Sequence, residues 1–222
     1  MQHEDACAVY KKHGARYKRI RRRPAKEPCP EVYALKVKCL GELERLAKLE
    51  LIDLYYGDES RVSIDPCVPY GWQFKGETAF MPAAKGAGVN CFALLSRVND
   101  LLFETTRQRI TSQFIIERFE RLSFSIKKMT VVVLDNARVH TSQQVQERRR
   151  FWQQRGLFVF YLPPYSPHLN IAETLWRKLK YEWLQPSDYV TADGLFYRVR
   201  QALAAVGSML KIRFSEFSLG LS

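Results

Sequence analysis

Val131–Asp135 reads VVVLD, four apolar residues ending abruptly in a carboxylate. A short β-branched run of this kind is a strand buried on both faces, as strands are inside a helix-covered sheet. Ligands of open α/β sheets bind in the crevice outside the carboxyl ends of such strands, which is where Asp135 falls. The same Asp also has a structural reading, as the cap of the next helix or turn. VVVLD alone does not choose between them.

Working outward, Met129–Leu134 is the strand and Ser142–Arg155 a charged helix after it. Leu157–Leu162 (LFVFYL) is a second buried strand. Upstream, Leu51–Gly57 (LIDLYYG) has strand composition and terminates at Asp58-Glu59-Ser60, before a turn-rich stretch with Pro66, Pro69, Gly71 and Gly76. Gly88–Arg97 and Leu101–Thr106 flank Val98-Asn99-Asp100 as a β-hairpin, and Ser112–Leu122 is helical. Apolar residues at helical spacing from Val32 to Leu49 predict a helix over 31–49, and Asn170–Leu184 and Thr191–Leu210 predict two more. Antiparallel strands followed by alternating strands and helices predict an α/β fold, a mixed sheet flanked by helices. The expected organisation is a basic arm over 1–30, a linking helix over 31–50, the sheet domain over 51–212 and a tail over 213–222.

The 222 residues are 46% hydrophobic and 26% charged, the balance of a folded globular chain rather than a disordered one. No apolar run approaches a membrane span, and the N-terminus lacks the apolar core of a signal peptide. Five scattered cysteines without a CxxC pair fit reduced thiols in a cytoplasmic setting and give no zinc spacing. The net charge of +12 attracts polyanions, of which nucleic acid is the commonest. Lys11–Lys26 concentrates that charge, including Lys18, Arg19, Arg21, Arg22 and Arg23. Its two readings are phosphate-backbone contact without sequence readout, and a solvated tail.

Two further acids join Asp135. Counted by two along its strand, Asp58 shares a face with Ile52, Leu54 and Tyr56, whereas Asp53 and Glu59 take the other; its alternative is an exposed turn residue. Glu173 follows the proline-stiffened LPPYSPHLN loop, on the first turn of an amphipathic helix. Locally it is explained by a capping box with Asn170 or a pair with Arg177. Together the three are a hard-oxygen set suited to Mg²⁺ or Mn²⁺. Two such ions about 3.5–4 Å apart activate the attacking oxygen and stabilise the leaving one in phosphodiester displacement. Around them, Trp72 has readings as a DNA- or partner-stacking residue and as a hairpin core aromatic. His140 reads as a crevice residue or a satisfied loop histidine. Arg177, Lys178 and Lys180 read as phosphate ligands or a solvated helix face.

At these residues the chain resembles the DDE transposases of the Tc/mariner superfamily, specifically their bacterial insertion-sequence branch. The resemblance rests on Tyr56–Ser60 (YGDES), Gly71–Gly76 (GWQFKG), Leu134–His140 (LDNARVH) and Leu162–Trp176 (LPPYSPHLNIAETLW), in that order. It implies an RNase H-like catalytic domain over 51–212, with Asp58, Asp135 and Glu173 as catalytic residues binding two Mg²⁺ or Mn²⁺ ions. It implies DNA strand cleavage and transfer of a 3′-hydroxyl end to target DNA, in the bacterial cytoplasm at the nucleoid. DNA is the implied partner, with a homodimer or a transposase partner subunit. Lys75, Arg138, Arg177, Lys178 and Lys180 join the arm as DNA-binding residues, with Asn136 beside the site.

The sequence departs from that family in three ways. His168 replaces the usual Asp, and Ile171-Ala172 replaces Pro-Ile; neither removes a ligand. The 38 positions from Asp135 to Glu173 suggest a small insertion within Ser142–Gly156. Residues 15–23 resemble only the end of the family's helix-turn-helix region. The alternative expectation is therefore a truncated remnant that binds DNA or a transposase subunit without catalysing transposition.

Overall fold

The computed structural model describes residues 29–65, 75–76 and 86–217. The arm residues Lys18, Arg19 and Arg21–Arg23, and Trp72, lie outside the described residues. Among the described residues no helix is long and apolar enough to cross a membrane.

The first helix, α1, spans Pro30–Lys48 and opens on a proline, whose missing N–H is no loss in a first turn. Only part of its predicted stripe is buried. Leu40 packs on the sheet with Leu43 and Leu46 beside it, while Val32 and Leu35 stay exposed.

Five strands follow: β1 (Asp53–Ser63), β2 (Gly88–Leu95), β3 (Leu101–Thr106), β4 (Thr130–Leu134) and β5 (Leu157–Tyr161). They form one sheet in the order β3-β2-β1-β4-β5. The β3-β2-β1 side is antiparallel and the β1-β4-β5 side parallel, so the sheet is mixed as expected. One expectation is corrected. β1 does not terminate at Asp58 but runs on to Ser63, because Asp58–Ser63 pair in register with Ala93–Gly88 of β2. Asn99 makes the β2–β3 turn with φ at 66°, a left-handed conformation that Asn tolerates.

Helices cover both faces. Leu54, Tyr56, Val131 and Val133 meet α1, and farther along the same face Val62, Val89, Cys91, Ala93 and Leu95 meet the C-terminal helices. On the other face Phe92, Leu94, Val132 and Leu134 pack against α2 (Ser112–Ser125) and α4 (Gln143–Gln154). A one-turn helix, α3 (Arg138–Thr141), precedes α4.

Both C-terminal helices are shorter than predicted. α5 spans Ala172–Lys178, passes into a π-helical turn over Leu179–Trp183 and ends at extended Leu184, two residues before Pro186. α6 spans Ala192–Ala204, and Gly207 at φ 86° lets the chain turn back. The stretch after it is packed rather than loose: Phe214 joins one core cluster and Phe217 another.

Candidate active site

Asp58 lies mid-strand on the central strand. β1 and β4 run parallel with Tyr56 opposite Val133. Continued by two positions, that register sets Asp58 beside Asp135, just past the end of β4. Both acids fall on the parity of Leu54, Tyr56, Val131 and Val133, the face that α1 and α5 cover. The residue before Asp58 is fixed by packing. A Cβ on Gly57 would meet Leu134 Cδ2 at 2.6 Å and Leu94 Cδ2 at 2.9 Å.

Asp135 is exposed and held from behind. Its Oδ1 accepts from the Ala137 N–H at 2.9 Å and stands 2.8 Å from Nδ1 of His140. Burial alone would raise its pKa, but the bonds from His140 and Ala137 outweigh it and hold the carboxyl below its usual value. Asn136 turns away from the acids, its Nδ2 donating to the Leu162 carbonyl at 2.7 Å. Lys36 of α1 also reaches that carbonyl, at 3.2 Å, so the start of the proline loop is gripped from two sides.

Glu173 arrives on α5 after this loop, in which Tyr165 takes a left-handed φ of 59°. The predicted capping box is absent. The Asn170 N–H goes to the Pro167 carbonyl, and the Asn170 side chain works elsewhere. Its Oδ1 accepts from the Ala172 N–H at 3.0 Å while its Nδ2 donates to the Gly57 carbonyl at 3.0 Å. One buried amide thus bolts the start of α5 to the strand residue before Asp58. One turn on, Trp176 donates its indole N–H to Asp58 Oδ2 at 3.0 Å. Among the described residues no ion pair joins Glu173 to Arg177.

The electrostatics register this convergence. The pKa of Asp58 is pushed up to about 7, first by burial and then by the negative charges of Glu173, Glu59 and Asp135. Burial would lower the pKa of His140, yet the contact with Asp135 and the negative charges of Glu59 and Asp135 raise it to about 9. Among the described residues no three His, Cys, Asp or Glu side chains are drawn into a ligating cluster. Asp58 nevertheless feels the charges of both Glu173 and Asp135. Asp135 and Glu173 are exposed and Asp58 is half-buried.

Cations flank this edge. Glu173, Thr174, Trp176, Arg177, Lys180 and Tyr181 line an open groove of about 440 Å³. Lys178 is instead tied to Glu182 at 2.6 Å, while Arg138 and Lys75 are exposed. Three residues at the site were not singled out from the sequence: Trp176, Asn170 as a bolt, and Glu59 as the partner of His140. Only Trp176 had a local signal, its three-residue offset from Glu173 on one helix face. His140, for which a crevice or loop position was expected, is completely buried.

A family model described as DDE superfamily endonuclease matches residues 53–195. No curated protein matches the chain. Among solved structures, a Mos1 transposase paired-end complex with the left transposon end aligns over 90% of this chain and 66% of that chain. Its identity is 14% and its TM-score 0.55. A simian T-cell lymphotropic virus intasome in complex with the PP2A regulatory subunit B56 gamma aligns over 72% of this chain and 50% of that one. There the identity is 13% and the TM-score 0.50. At these identities the likeness is one of fold, and it matches the expected RNase H-like mixed sheet.

Proposed function

The chain belongs to the DDE superfamily endonucleases, and from that premise we propose that it is a DNA transposase of the insertion-sequence type, cleaving strands and joining 3′-hydroxyl ends to target DNA. Asp58, Asp135 and Glu173 are its catalytic acids. The observation that carries this reading is geometric: Trp176, one turn after Glu173, donates to Asp58 Oδ2 at 3.0 Å, and the parallel β1–β4 register sets Asp135 beside Asp58, so acids from distant parts of the sequence converge. A buried acid surrounded by acids is a poor structural element and a good cation site.

The donor set fits Mg²⁺ or Mn²⁺, because all three are carboxylates. Bound there, divalent metal supplies a Lewis acid that activates the attacking oxygen and neutralises charge on the leaving one. The chain's own residues do the positioning. Trp176 holds one oxygen of Asp58, Asn170 fixes the start of the Glu173 helix, and Ala137 and His140 hold one oxygen of Asp135. Arg177 and Lys180 in the groove beside Glu173, with Arg138 near Asp135, supply positive charge for DNA phosphates. A second transposase copy is the protein partner this reading expects.

The test is cleavage and joining of labelled DNA bearing candidate element ends, with Mn²⁺ or Mg²⁺. Asp58→Asn, Asp135→Asn and Glu173→Gln should each lower the rate by roughly 10³-fold or more, the scale of removing a main source of transition-state charge stabilisation. Equal activity in Asp135→Asn would overturn the triad. A wild type that binds these DNA ends without cutting them would replace this reading with that of a non-catalytic remnant.

A further inference from the structure

Glu59 and His140 carry titratable groups at this edge that the triad does not use. Strand alternation puts Glu59 on the sheet face opposite Asp58, so it is not a fourth acid beside the other three. It meets the imidazole of His140, which is completely buried. Nε2 of His140 stands 2.9 Å from Glu59 Oε2, close enough for an ion pair although off the line of a good hydrogen bond. Nδ1 stands 2.8 Å from Asp135 Oδ1. The backbone of His140 is anchored as well, since the Tyr161 hydroxyl donates to its carbonyl at 2.6 Å and Gln146 Nε2 donates to that hydroxyl at 3.1 Å.

We infer that His140, backed by Glu59, is a positioning residue that fixes the Asp135 carboxylate by Oδ1 and leaves Oδ2 as the oxygen offered to the metal. The inference rests on the proposed triad. An Asp with one oxygen taken by two donors cannot rotate about its terminal bond without breaking both. Its remaining oxygen is then presented in one orientation before any ion arrives. Partners of this kind typically change metal affinity by about 10–100-fold when removed. The ring is also completely buried, so its hydrogen bond has to be separated from its bulk.

Asparagine and glutamine separate them. The amide nitrogen of Asn falls near the Nδ1 position of a histidine and that of Gln near Nε2. Calorimetric titration of the full chain with Mn²⁺ should therefore place His140→Asn within a few-fold of the wild type. His140→Gln should be weaker by about 10–100-fold. Equal losses in the two variants, or a tighter Gln variant, would overturn the positioning role while leaving the triad in place. A wild type that binds no Mn²⁺ would overturn the metal reading itself, and the inference with it. Nitrogen-15 NMR of the wild type gives a check independent of any variant's folding. A solvent-protected N–H is expected at Nδ1 of His140, and rapid exchange at that position would overturn the inference.

Discussion

Asp58 and Glu120 are half-buried carboxylates serving opposite faces of one sheet, and their surroundings are inverse. Glu120, on α2, is ringed by donors. Arg148 Nε reaches Oε1 at 2.7 Å, Trp152 Nε1 reaches it at 3.1 Å, and Arg155 Nη1 reaches Oε2 at 2.8 Å. Burial pushes the Glu120 pKa up, but the bonds from Arg155, Arg148 and Trp152 outweigh it and leave the group below its usual value. Asp58 accepts from the indole N–H of Trp176 and a backbone N–H, but burial and the negative charges of Glu173, Glu59 and Asp135 outweigh these and drive its pKa up to about 7. The contrast separates two uses of a buried charge. Glu120 is neutralised within the fold and clamps α2 to α4. Among the described residues no cation pairs with Asp58, which marks a place suited to charge from outside.

Removing the clamp gives the largest expected loss of stability. Glu120→Ala leaves the completely buried Trp152 indole N–H without its acceptor and removes the carboxylate from two guanidinium groups, of which Arg155 keeps Ser123. A loss of roughly 2–3 kcal/mol is expected in urea unfolding, the upper range for losing hydrogen bonds to a charged group, since the two guanidiniums stay partly solvated. The pH dependence has a definite sign. The folded pKa lies below the unfolded value of 4.5, so the stabilisation is fully present above about 4.5 and disappears as pH falls through the folded pKa. A loss below 1 kcal/mol would break the comparison by making Glu120 an ordinary surface acid.

Neutralising Asp58 should do the reverse. In metal-free protein at pH 8, Asp58→Asn should raise stability by roughly 2–3 kcal/mol, since a pKa raised from 3.8 to about 7 is a cost to the folded state. Asn keeps an oxygen for the Trp176 indole. The penalty in the wild type is absent below about pH 4, grows as the unfolded chain ionises first, and is complete above pH 7. The gain from Asn should therefore shrink when the melts are repeated at pH 5. A variant that is more stable yet unable to cleave is the outcome that joins the two halves of the argument. Destabilisation at pH 8 would show that the crowding of charge around Asp58 is illusory.

Much of this arrangement was readable along the chain, for reasons that also explain what was hidden. VVVLD and LFVFYL announce a buried parallel pair because short apolar runs have few other fates. The alternation through Ile52, Leu54 and Tyr56 correctly places Asp58 and Glu59 on opposite faces. The length of β1 was hidden, because Asp58–Ser63 is polar and reads as a turn. Its strand character comes from pairing with Ala93–Gly88, some thirty residues away. Glu173 had the complementary problem. Its local sequence is a good capping box, yet the Asn170 side chain is drawn off to the Gly57 carbonyl, a partner no local window contains. The burial of His140 was equally invisible, since it depends on Glu59 and Asp135 approaching from two different elements.

That Asn170 bond gives the smallest stability effect and the sharpest test of how the acids are held together. Asn170 is 5% exposed, and it links the strand carrying Asp58 to the first turn carrying Glu173. Asn170→Ala should cost about 1–2 kcal/mol, the scale of a buried neutral hydrogen bond whose partners are left behind. At 25 °C a chain that loses this much remains folded whenever its starting stability lies in the usual range of about 5–15 kcal/mol. Cleavage should nevertheless fall by about 10–100-fold, because a displacement near 1 Å between catalytic groups is costly. The Glu120→Ala variant is the control, since it weakens the opposite face by more without touching the acids. If Glu120→Ala and Asn170→Ala lose activity in proportion to their losses of stability, Asn170 contributes only to folding. If Asn170→Ala loses far more activity per unit of stability, the bolt between Gly57 and α5 sets the distance at which Asp58 and Glu173 meet.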